Sequence, residues 1–366
     1  MPFADELLGV DVAARLTRSL EIAAPDASLT ELRAAPALFP PLALGARAAL
    51  LADAMLHDLP GDYFSLAATI RTAAAGSGFS GWLIWPVTSA VAAKAVAEDS
   101  DESFDDALAL LAELTPRLTA EFAIRGLLRH NLPRALSIAL LWTASDDEHV
   151  RRLATEGTRP YLPWSTRVPG IQSSPELTIP ILDALYRDES DYVRRSVANH
   201  LNDVSRFNPE LVVATATRWL AAPDPNTPAL VRHALRTLIK RGDLGALELL
   251  GYGAATLDVA GPVLSSGEIP FGGTIGFSGS ILNTGSTAAN LAIDYTVHHQ
   301  KANGTQTGKT FKLVSRSLEP GETLELDKQH SFRAITTRRY YPGAHAIELQ
   351  INGVVYGRAE FELLGE

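Results

Sequence analysis

The apolar positions of the chain follow two different periods, one before and one after about residue 255. In the first part they recur every three or four residues, as in Val193, Val197, Leu201 and Val204, which predicts helix after helix. In the second part apolar and polar residues alternate, as they do along residues 291–298, which predicts strands. The pattern therefore predicts a mainly α fold class, with a helical domain at residues 1–255 and a strand-rich domain at residues 256–366.

The strand-rich part has the spacing of a small β-sandwich. About seven strands fit into roughly 105 residues, which is typical of an immunoglobulin-like domain. Asn303-Gly304 and Asn352-Gly353 stand between alternating runs and are typical of tight hairpin turns. His298 and His299 are adjacent on one predicted strand, so their side chains are expected on opposite faces, which argues against a shared metal ion.

The helical part contains a sequence repeat. Three segments align without gaps and begin at Val150, Val193 and Val231, so their starts are 43 and 38 residues apart. This is the period of two-helix HEAT units, which stack into a solenoid with a concave face. Acidic residues precede the first two copies, at 146–148 and 188–191, as is typical of helix N-termini. The sequence therefore predicts a HEAT-like-repeat α-solenoid.

Polar residues at four-residue spacing fall opposite the apolar stripe in each copy. In the second copy these are Arg195, Asn199 and Asp203, and the first copy has Arg152 and Glu156 at equivalent positions. Further members of the pattern are His233, Thr237 and Arg241 in the third copy and Glu121, Arg125 and Arg129 one helix before the first. We expect these side chains to form one ribbon. It is either a solvated face of Arg–Glu pairs or a concave surface that binds a polyanion.

Composition and charge limit the kinds of functional site and partner that the chain can have. The 366 residues include no cysteine, which excludes disulfides, thiolate metal sites and a cysteine nucleophile. The net charge is −10, but residues 1–120 carry −9, residues 121–258 carry 0 and residues 259–366 carry −1. In the middle segment 15 of the 16 basic residues are arginine, the side chain suited to binding phosphates. The overall acidity therefore does not exclude nucleic acid as a partner.

A proline-rich segment interrupts the repeat between its first and second copies. It follows Glu156, contains Pro160, Pro163 and Pro169, and carries Trp164. Prolines at this density exclude a continuous helix. The tryptophan either anchors the segment in the core or offers an aromatic surface beside the carboxylate of Glu156.

The stretch Glu156–Trp164, the helix at Tyr192–Asp203 and the appended sandwich together resemble the AlkC-type DNA glycosylases, HEAT-like-repeat enzymes of alkylation repair that are related to AlkD. The resemblance extends over the whole chain, and the sandwich marks one subgroup of AlkC proteins. It implies excision of cationic alkylated bases, 3-methyladenine and 3-methylcytosine, to leave an abasic site without base flipping. The candidate catalytic residues that it implies are Glu121, Glu156, Trp164 and Asp203.

The residue types suit this chemistry. A base alkylated at a ring nitrogen is cationic, so it leaves without being protonated and the sugar acquires positive charge. Carboxylates stabilise that charge, one of them orients or deprotonates the attacking water, and a tryptophan face attracts the cationic base. Which carboxylate activates the water stays open at this point. Neither a metal nor a cofactor is expected.

Basic residues on and beside the ribbon are expected to hold DNA phosphates. The candidates for this role are Arg152, Arg159, Arg194, Arg195, His233, Lys240 and Arg241. The expected partner is double-stranded DNA with alkylated bases, the expected state is a monomer, and the strand-rich domain is expected to assist DNA binding. The alternatives are a non-enzymatic HEAT scaffold that binds a protein and an architectural DNA-binding protein.

The N-terminus shows no charged-then-apolar leader, and no run of about 18 apolar residues occurs. We therefore expect a cytoplasmic protein that does not span a membrane.

Overall fold

A computed structural model describes residues 2–335 and 338–365. The chain forms two compact units, Met1–Ala234 and Leu235–Glu366. The first is helical, and the second contains two short helices followed by strands. The HEAT-like-repeat solenoid followed by an immunoglobulin-like domain is confirmed as the fold class.

The first unit is built from helices joined by turns and short 3-10 segments. Its helices are α1 (Pro2–Leu7), α2 (Val10–Ala23), α3 (Thr30–Ala34), α4 (Leu44–Asp58), α5 (Tyr63–Ala74), α6 (Ile84–Glu98), α7 (Asp101–Leu114), α8 (Ile124–His130), α9 (Leu132–Leu141), α10 (Glu148–Glu156), α11 (Pro169–Ser173), α12 (Ile179–Leu185), α13 (Asp191–Val204), α14 (Pro209–Ala221) and α15 (Thr227–Ala234).

The three copies of the repeat lie on α10, α13 and α15, and these helices pack side by side in that order. Their apolar stripe forms the contact, because Val193, Val197, Leu201 and Val204 on α13 are all fully buried, as predicted. The acidic residue before the first copy acts as a helix cap: the Asp147 side chain accepts a hydrogen bond from the His149 N–H. Helices α12 and α14 alternate with these three along the chain.

The third copy differs from the prediction of one continuous helix. Helix α15 ends at Ala234, and the chain turns at Leu235 before α16 (Arg236–Arg241) begins. Arg241 therefore lies on a separate helix from His233, in the second unit. Apolar spacing alone did not reveal the break, because Leu235 and Leu238 still fit a helical period.

The second unit consists of α16, α17 (Leu244–Leu249) and two sheets. Its strands are β1 (Leu257–Leu264), β2 (Glu268–Ile269), β3 (Thr274–Asn283), β4 (Ala289–Gln300), β5 (Gln306–Leu318), β6 (Thr323–Ser331), β7 (Gly343–Ile351) and β8 (Val354–Leu363). The smaller sheet has the order β1-β3-β6, and the larger has the order β2-β8-β7-β4-β5. Neighbouring strands are antiparallel except β2 and β8. About seven strands were predicted, and the two-residue β2 is too short to show an alternation.

Strand β4 shows where the alternation pattern holds and where it does not. Ile293 and Tyr295 are buried as predicted, but the intervening Asp294 is buried too. Burial raises the pKa of Asp294 to about 6, although Lys312 and Lys240 oppose the shift. Helix α16, which carries Lys240, packs against β5 and therefore groups with the strands.

Both predicted turn sites connect neighbouring strands. Asn352 and Gly353 join β7 to β8 with positive φ angles of 47° and 82°, the conformation of a two-residue hairpin turn. Asn303-Gly304 lies between β4 and β5, which pair throughout their length. The histidines at 298 and 299 take opposite faces, as expected: His298 contacts Glu348 at 2.8 Å, whereas His299 is buried in the core.

Candidate active site

The three predicted catalytic carboxylates lie at the ends of structural elements, where the stacking of α10 on α13 brings them close. Glu121 precedes α8, Glu156 is the last residue of α10, and Asp203 stands one residue before the end of α13. The non-helical segment 157–168, hereafter the loop 157–168, follows directly after Glu156 and supplies Arg159. The prediction that this segment interrupts the helices is confirmed.

Two arginines join the three carboxylates into one continuous series of ion pairs. Arg152 contacts Glu121 at 2.6 Å and Glu156 at 3.6 Å. Arg159 contacts the same oxygen of Glu156 at 2.6 Å and Asp203 at 2.9 Å. We call these five side chains the acid–arginine chain. All five have side chains that are at most 17% exposed, so water screens their charges only weakly.

Donors surround Glu156 on both of its oxygens. Oε1 accepts from Arg159, and Oε2 accepts from the Ser196 hydroxyl at 2.6 Å. The Thr155 hydroxyl in turn donates to Ser196 at 2.5 Å. Burial raises the pKa of a carboxyl group, but Arg159, Arg152 and the Ser196 hydroxyl outweigh it and hold the pKa of Glu156 below its ordinary value. Glu156 is therefore a fixed negative charge at neutral pH.

Asp203 has the opposite electrostatic balance. Burial raises its pKa above the ordinary value, although the hydrogen bond from Arg159 opposes this. Its two hydrogen bonds, from Arg159 Nε and from the Tyr161 backbone N–H at 3.3 Å, both go to Oδ2. Among the described residues Oδ1 has no hydrogen-bond partner. A carboxylate with a raised pKa and an available oxygen is suited to accept a proton.

The loop 157–168 explains why this group is buried. The sequence predicted the polar stripe as one ribbon opposite the apolar side, but Glu156 and Asp203 are buried whereas Arg195 is 64% exposed. The loop returns over the ends of α10 and α13 and inserts Arg159 between the two carboxylates. Helical spacing shows which residues share a face, but it does not show that another segment covers part of that face.

Arg125, predicted as a ribbon residue, is instead fully buried beneath the loop. Its guanidinium donates to the backbone oxygens of Gly157 at 3.1 Å, Arg159 at 2.6 Å and Thr166 at 3.0 Å. Burial lowers the pKa of Arg125 to about 10, and Arg167 and Arg159 add to the shift. The side chain thus holds both ends of the loop to α8.

Trp164 lies in the loop with a φ of 61° and is 64% exposed. A bulky residue with positive φ is uncommon and is sterically unfavourable. The exposed position contradicts the alternative that this tryptophan anchors the loop in the core. The ring is accessible on the loop that begins at Glu156.

Comparisons with known proteins match both units. Residues 91–238 match the family described as DNA alkylation repair enzyme. Residues 258–365 match the family described as the C-terminal Ig-like domain of YhaZ. YhaZ of Bacillus subtilis strain 168, itself described as uncharacterized, is 36% identical over 261 residues, which cover 71% of this chain and 72% of YhaZ.

A solved structure of Pseudomonas fluorescens AlkC, an alkylpurine DNA glycosylase bound to DNA containing an abasic site analogue, is 34% identical. It superimposes with a TM-score of 0.86 and covers 99% of both chains. The chain belongs to the AlkC family of DNA alkylation repair enzymes. It is therefore an enzyme, a DNA glycosylase, and the two non-enzymatic alternatives, a protein-binding scaffold and an architectural DNA binder, are wrong.

The predicted DNA-binding residues fall into three groups in this glycosylase. Arg194, Arg195 and His233 line one cleft of about 180 Å³ between α13 and α15. Arg152 and Arg159 are members of the acid–arginine chain, so their described ion pairs are with the carboxylates of the site. The remaining two candidates, Lys240 and Arg241, lie on α16 in the second unit. A role for any of them in binding DNA stays a prediction.

Two residues of the site, Ser196 and Tyr192, were not predicted from the sequence. Ser196 contacts Glu156, and the Tyr192 ring lies under the Arg152 guanidinium, whose central carbon is 4.8 Å from the ring centroid. Neither residue falls on the stripe at four-residue spacing from Arg195, so the periodicity gave no signal for them. Both residues do belong to the stretch Tyr192–Asp203, which carries the family resemblance.

Two negative findings apply to the described part of the chain. Residues 2–335 and 338–365 contain no group of three or more histidine, aspartate or glutamate side chains placed to hold a metal ion. Across the same residues no helix combines the length and the apolar character needed to span a membrane.

Proposed function

We propose that this enzyme hydrolyses the N-glycosidic bond of cationic alkylated bases, 3-methyladenine and 3-methylcytosine, in double-stranded DNA and leaves an abasic site. It acts as a monomer, without a cofactor, and the base stays in the duplex during cleavage. Its AlkC relative, an alkylpurine DNA glycosylase solved on DNA containing an abasic site analogue, supports the reaction class. Methylcytosine as a substrate extends the proposal to pyrimidines.

The observation that carries the proposal is the acid–arginine chain, in which three carboxylates converge in a largely buried site. A cationic base departs as a neutral molecule, so no general acid is needed, and positive charge develops on the deoxyribose. A preorganised carboxylate stabilises that charge strongly where water is excluded. Glu156, kept ionised by two arginines and Ser196, is assigned this electrostatic role.

Asp203 is assigned to the attacking water. Environments that drive the pKa values of two carboxylates apart are typical of sites with separate roles for them. The raised pKa of Asp203 and its available Oδ1 suit it to accept the water proton. Glu121 likewise accepts its described hydrogen bonds, from Arg152 and Thr119, on Oε2 alone. It adds negative charge at the end of the acid–arginine chain opposite to Asp203.

Trp164 is assigned to the cationic base. An aromatic face beside a cation contributes about 1–2 kcal/mol when the pair is desolvated. Its exposed position supports contact with a base that remains in the DNA, because an extruded base would be enclosed in a pocket. A 2-aminopurine placed beside the lesion tests this point: its fluorescence stays low if the stack is kept and rises if the base is flipped.

The deciding experiment incubates the enzyme with a duplex treated with a simple methylating agent and separates the released bases by chromatography. At enzyme excess we expect free 3-methyladenine and 3-methylcytosine. Glu156→Gln and Asp203→Asn should each slow single-turnover release by about a hundredfold, by analogy with the loss of one electrostatic contact. Binding to abasic-site DNA should change little.

The matched control is Glu176→Gln, because Glu176 is an exposed glutamate elsewhere in the helical unit. It should leave release unchanged. Absence of both free bases with the unaltered enzyme would overturn the proposal, and equal losses of binding and release in Glu156→Gln would show that this carboxylate is structural. We also propose that the strand-rich domain assists DNA binding, since Lys301, Lys309 and Arg339 are at least partly exposed on it.

A further inference from the structure

Two arginines that the acid–arginine chain does not include meet at one tyrosine beside Asp203. The central guanidinium carbons of Arg167 and Arg206 each lie 4.4 Å from the centroid of the Tyr161 ring. We propose that these three side chains form the site that binds the phosphodiester next to the damaged nucleotide. The inference rests on the proposed function, because it takes DNA as the ligand.

The backbone positions of all three residues are fixed independently. The Tyr161 N–H donates to Asp203 Oδ2, and the Arg206 N–H donates to the Asp203 backbone oxygen at 3.3 Å. Next to Arg167, the Thr166 backbone oxygen accepts from the buried Arg125. The convergence of the two guanidiniums on one ring is therefore supported by contacts to Asp203 on one side and by the contact of Arg125 on the other.

The protein balances the charges of this site only in part, because the one carboxylate on which Arg206 acts, Asp203, is already paired with Arg159. Within the described ranges neither Arg167 nor Arg206 forms an ion pair with a carboxylate, and both are exposed. Arginines on the repeat helices behave differently, since Arg151 pairs with Asp188 and Arg195 with Asp191. An aromatic face offsets part of the repulsion between neighbouring cations. The remaining positive charge calls for an anion from outside the chain.

A phosphodiester fits this requirement. Arginine binds phosphate oxygens through a planar set of N–H donors, and two guanidiniums that rest on a ring are already ordered for the contact. Because Tyr161 also holds Asp203, a phosphate bound here places the adjoining deoxyribose near the carboxylates. Phosphate contacts of this kind fix the position of a protein on DNA without reading sequence.

The test measures how salt affects binding to a duplex that contains an abasic-site analogue, by fluorescence anisotropy. Each phosphate that a protein neutralises adds about 0.9 to the slope of log K against log salt. The double variant Arg167→Gln/Arg206→Gln should lower that slope by about one. Arg167→Lys/Arg206→Lys keeps both charges and should retain most of the slope.

The matched control is Arg187→Gln. Arg187 is an exposed arginine whose guanidinium carbon lies 4.9 Å from the centroid of the Tyr186 ring, and that ring stacks on Trp219 of α14. It should not change the slope. An unaltered slope in the glutamine double variant overturns the inference. If binding is weaker while the slope is unaltered, the two arginines have a structural role. The slope is measured without catalysis, so failure of the enzyme to release bases would count against the proposed function alone.

Discussion

Arg159 is the residue on which the arrangement of the site depends most directly. It is the shared partner of Glu156 and Asp203, at 2.6 and 2.9 Å, and its side chain is 10% exposed. Arg159→Met removes the charge and keeps most of the volume, so two buried carboxylates lose their common cation. Removing one member of a buried ion pair costs about 3–5 kcal/mol, because the remaining charge is left uncompensated. We expect a loss of stability in this range at pH 7.

The pH dependence of this loss identifies its cause. In the unaltered protein the pKa of Glu156 is lowered, so its contribution to stability is present above the unfolded-state pKa and is lost as the pH falls through the folded-state pKa. Without Arg159, burial acts on both carboxylates with less opposition, and their pKa values rise. Protonation of these carboxylates at lower pH then removes the uncompensated negative charge from the variant. The stability difference between the two proteins should therefore shrink as the pH is lowered from about 7 to 5.

The assay is urea unfolding followed by tryptophan fluorescence, which reports on the helical unit because every tryptophan precedes residue 220. Arg195→Met is the matched control: Arg195 is 64% exposed and its partner Asp191 is 68% exposed. An exposed i,i+4 pair contributes about 0.3–0.5 kcal/mol. The reasoning is refuted if Arg159→Met costs no more than Arg195→Met, or if its cost stays constant between pH 7 and 5.

Three further predictions concern groups around the site and in the second unit. Ser196→Ala removes the hydroxyl that donates to Glu156 Oε2, so the pKa of Glu156 should rise. The acidic limb of the pH profile of the single-turnover rate should then move to higher pH, and the rate should fall about tenfold. An unshifted acidic limb would contradict this prediction. Arg125→Met removes three hydrogen bonds to the loop 157–168, and hydrogen exchange measured by mass spectrometry should show faster exchange in the loop than in the unaltered protein, while α13 stays protected. Equal exchange in the loop would show that Arg125 does not hold it. Burial lowers the pKa of His299 to about 3 and that of His330 to about 4, so both histidines bind protons in the unfolded state before they do in the folded state. The free energy of unfolding of the strand-rich unit should therefore fall by about 1.4 kcal/mol per histidine for each pH unit below about 6.5. Hydrogen exchange of β4 and β6 measures this loss, and His299→Phe should reduce the slope.

The sequence was most informative where a local period determines the structure. The repeat at Val150, Val193 and Val231 predicted which helices stack, and α10, α13 and α15 do pack in that order. The same holds for Asn352-Gly353, since few other residue pairs adopt two successive positive φ angles. These features depend on short stretches of chain, so single-sequence patterns contain the necessary information.

The candidate site was predicted only in part, because its assembly depends on contacts between distant segments. Glu121, Glu156 and Asp203 were named from the stripe and the family resemblance, and the structure brings them together through Arg152 and Arg159. Their burial was not predicted, since it follows from the course of the loop 157–168. The role of Arg125 was missed for the same reason. An arginine that binds backbone oxygens leaves no trace in side-chain periodicity.

The alternation of charge in the acid–arginine chain bears on how such an enzyme distinguishes damaged from normal bases. Three carboxylates and two arginines carry a formal charge of −1, which complements the single positive charge that develops on the sugar. A normal base is neutral and needs a proton donor to depart, but the lowered pKa of Glu156 removes it from that role. A cationic base needs no donor. In the proposed mechanism, selection for cationic alkylated bases follows from the charge of the site, without a pocket shaped to the lesion.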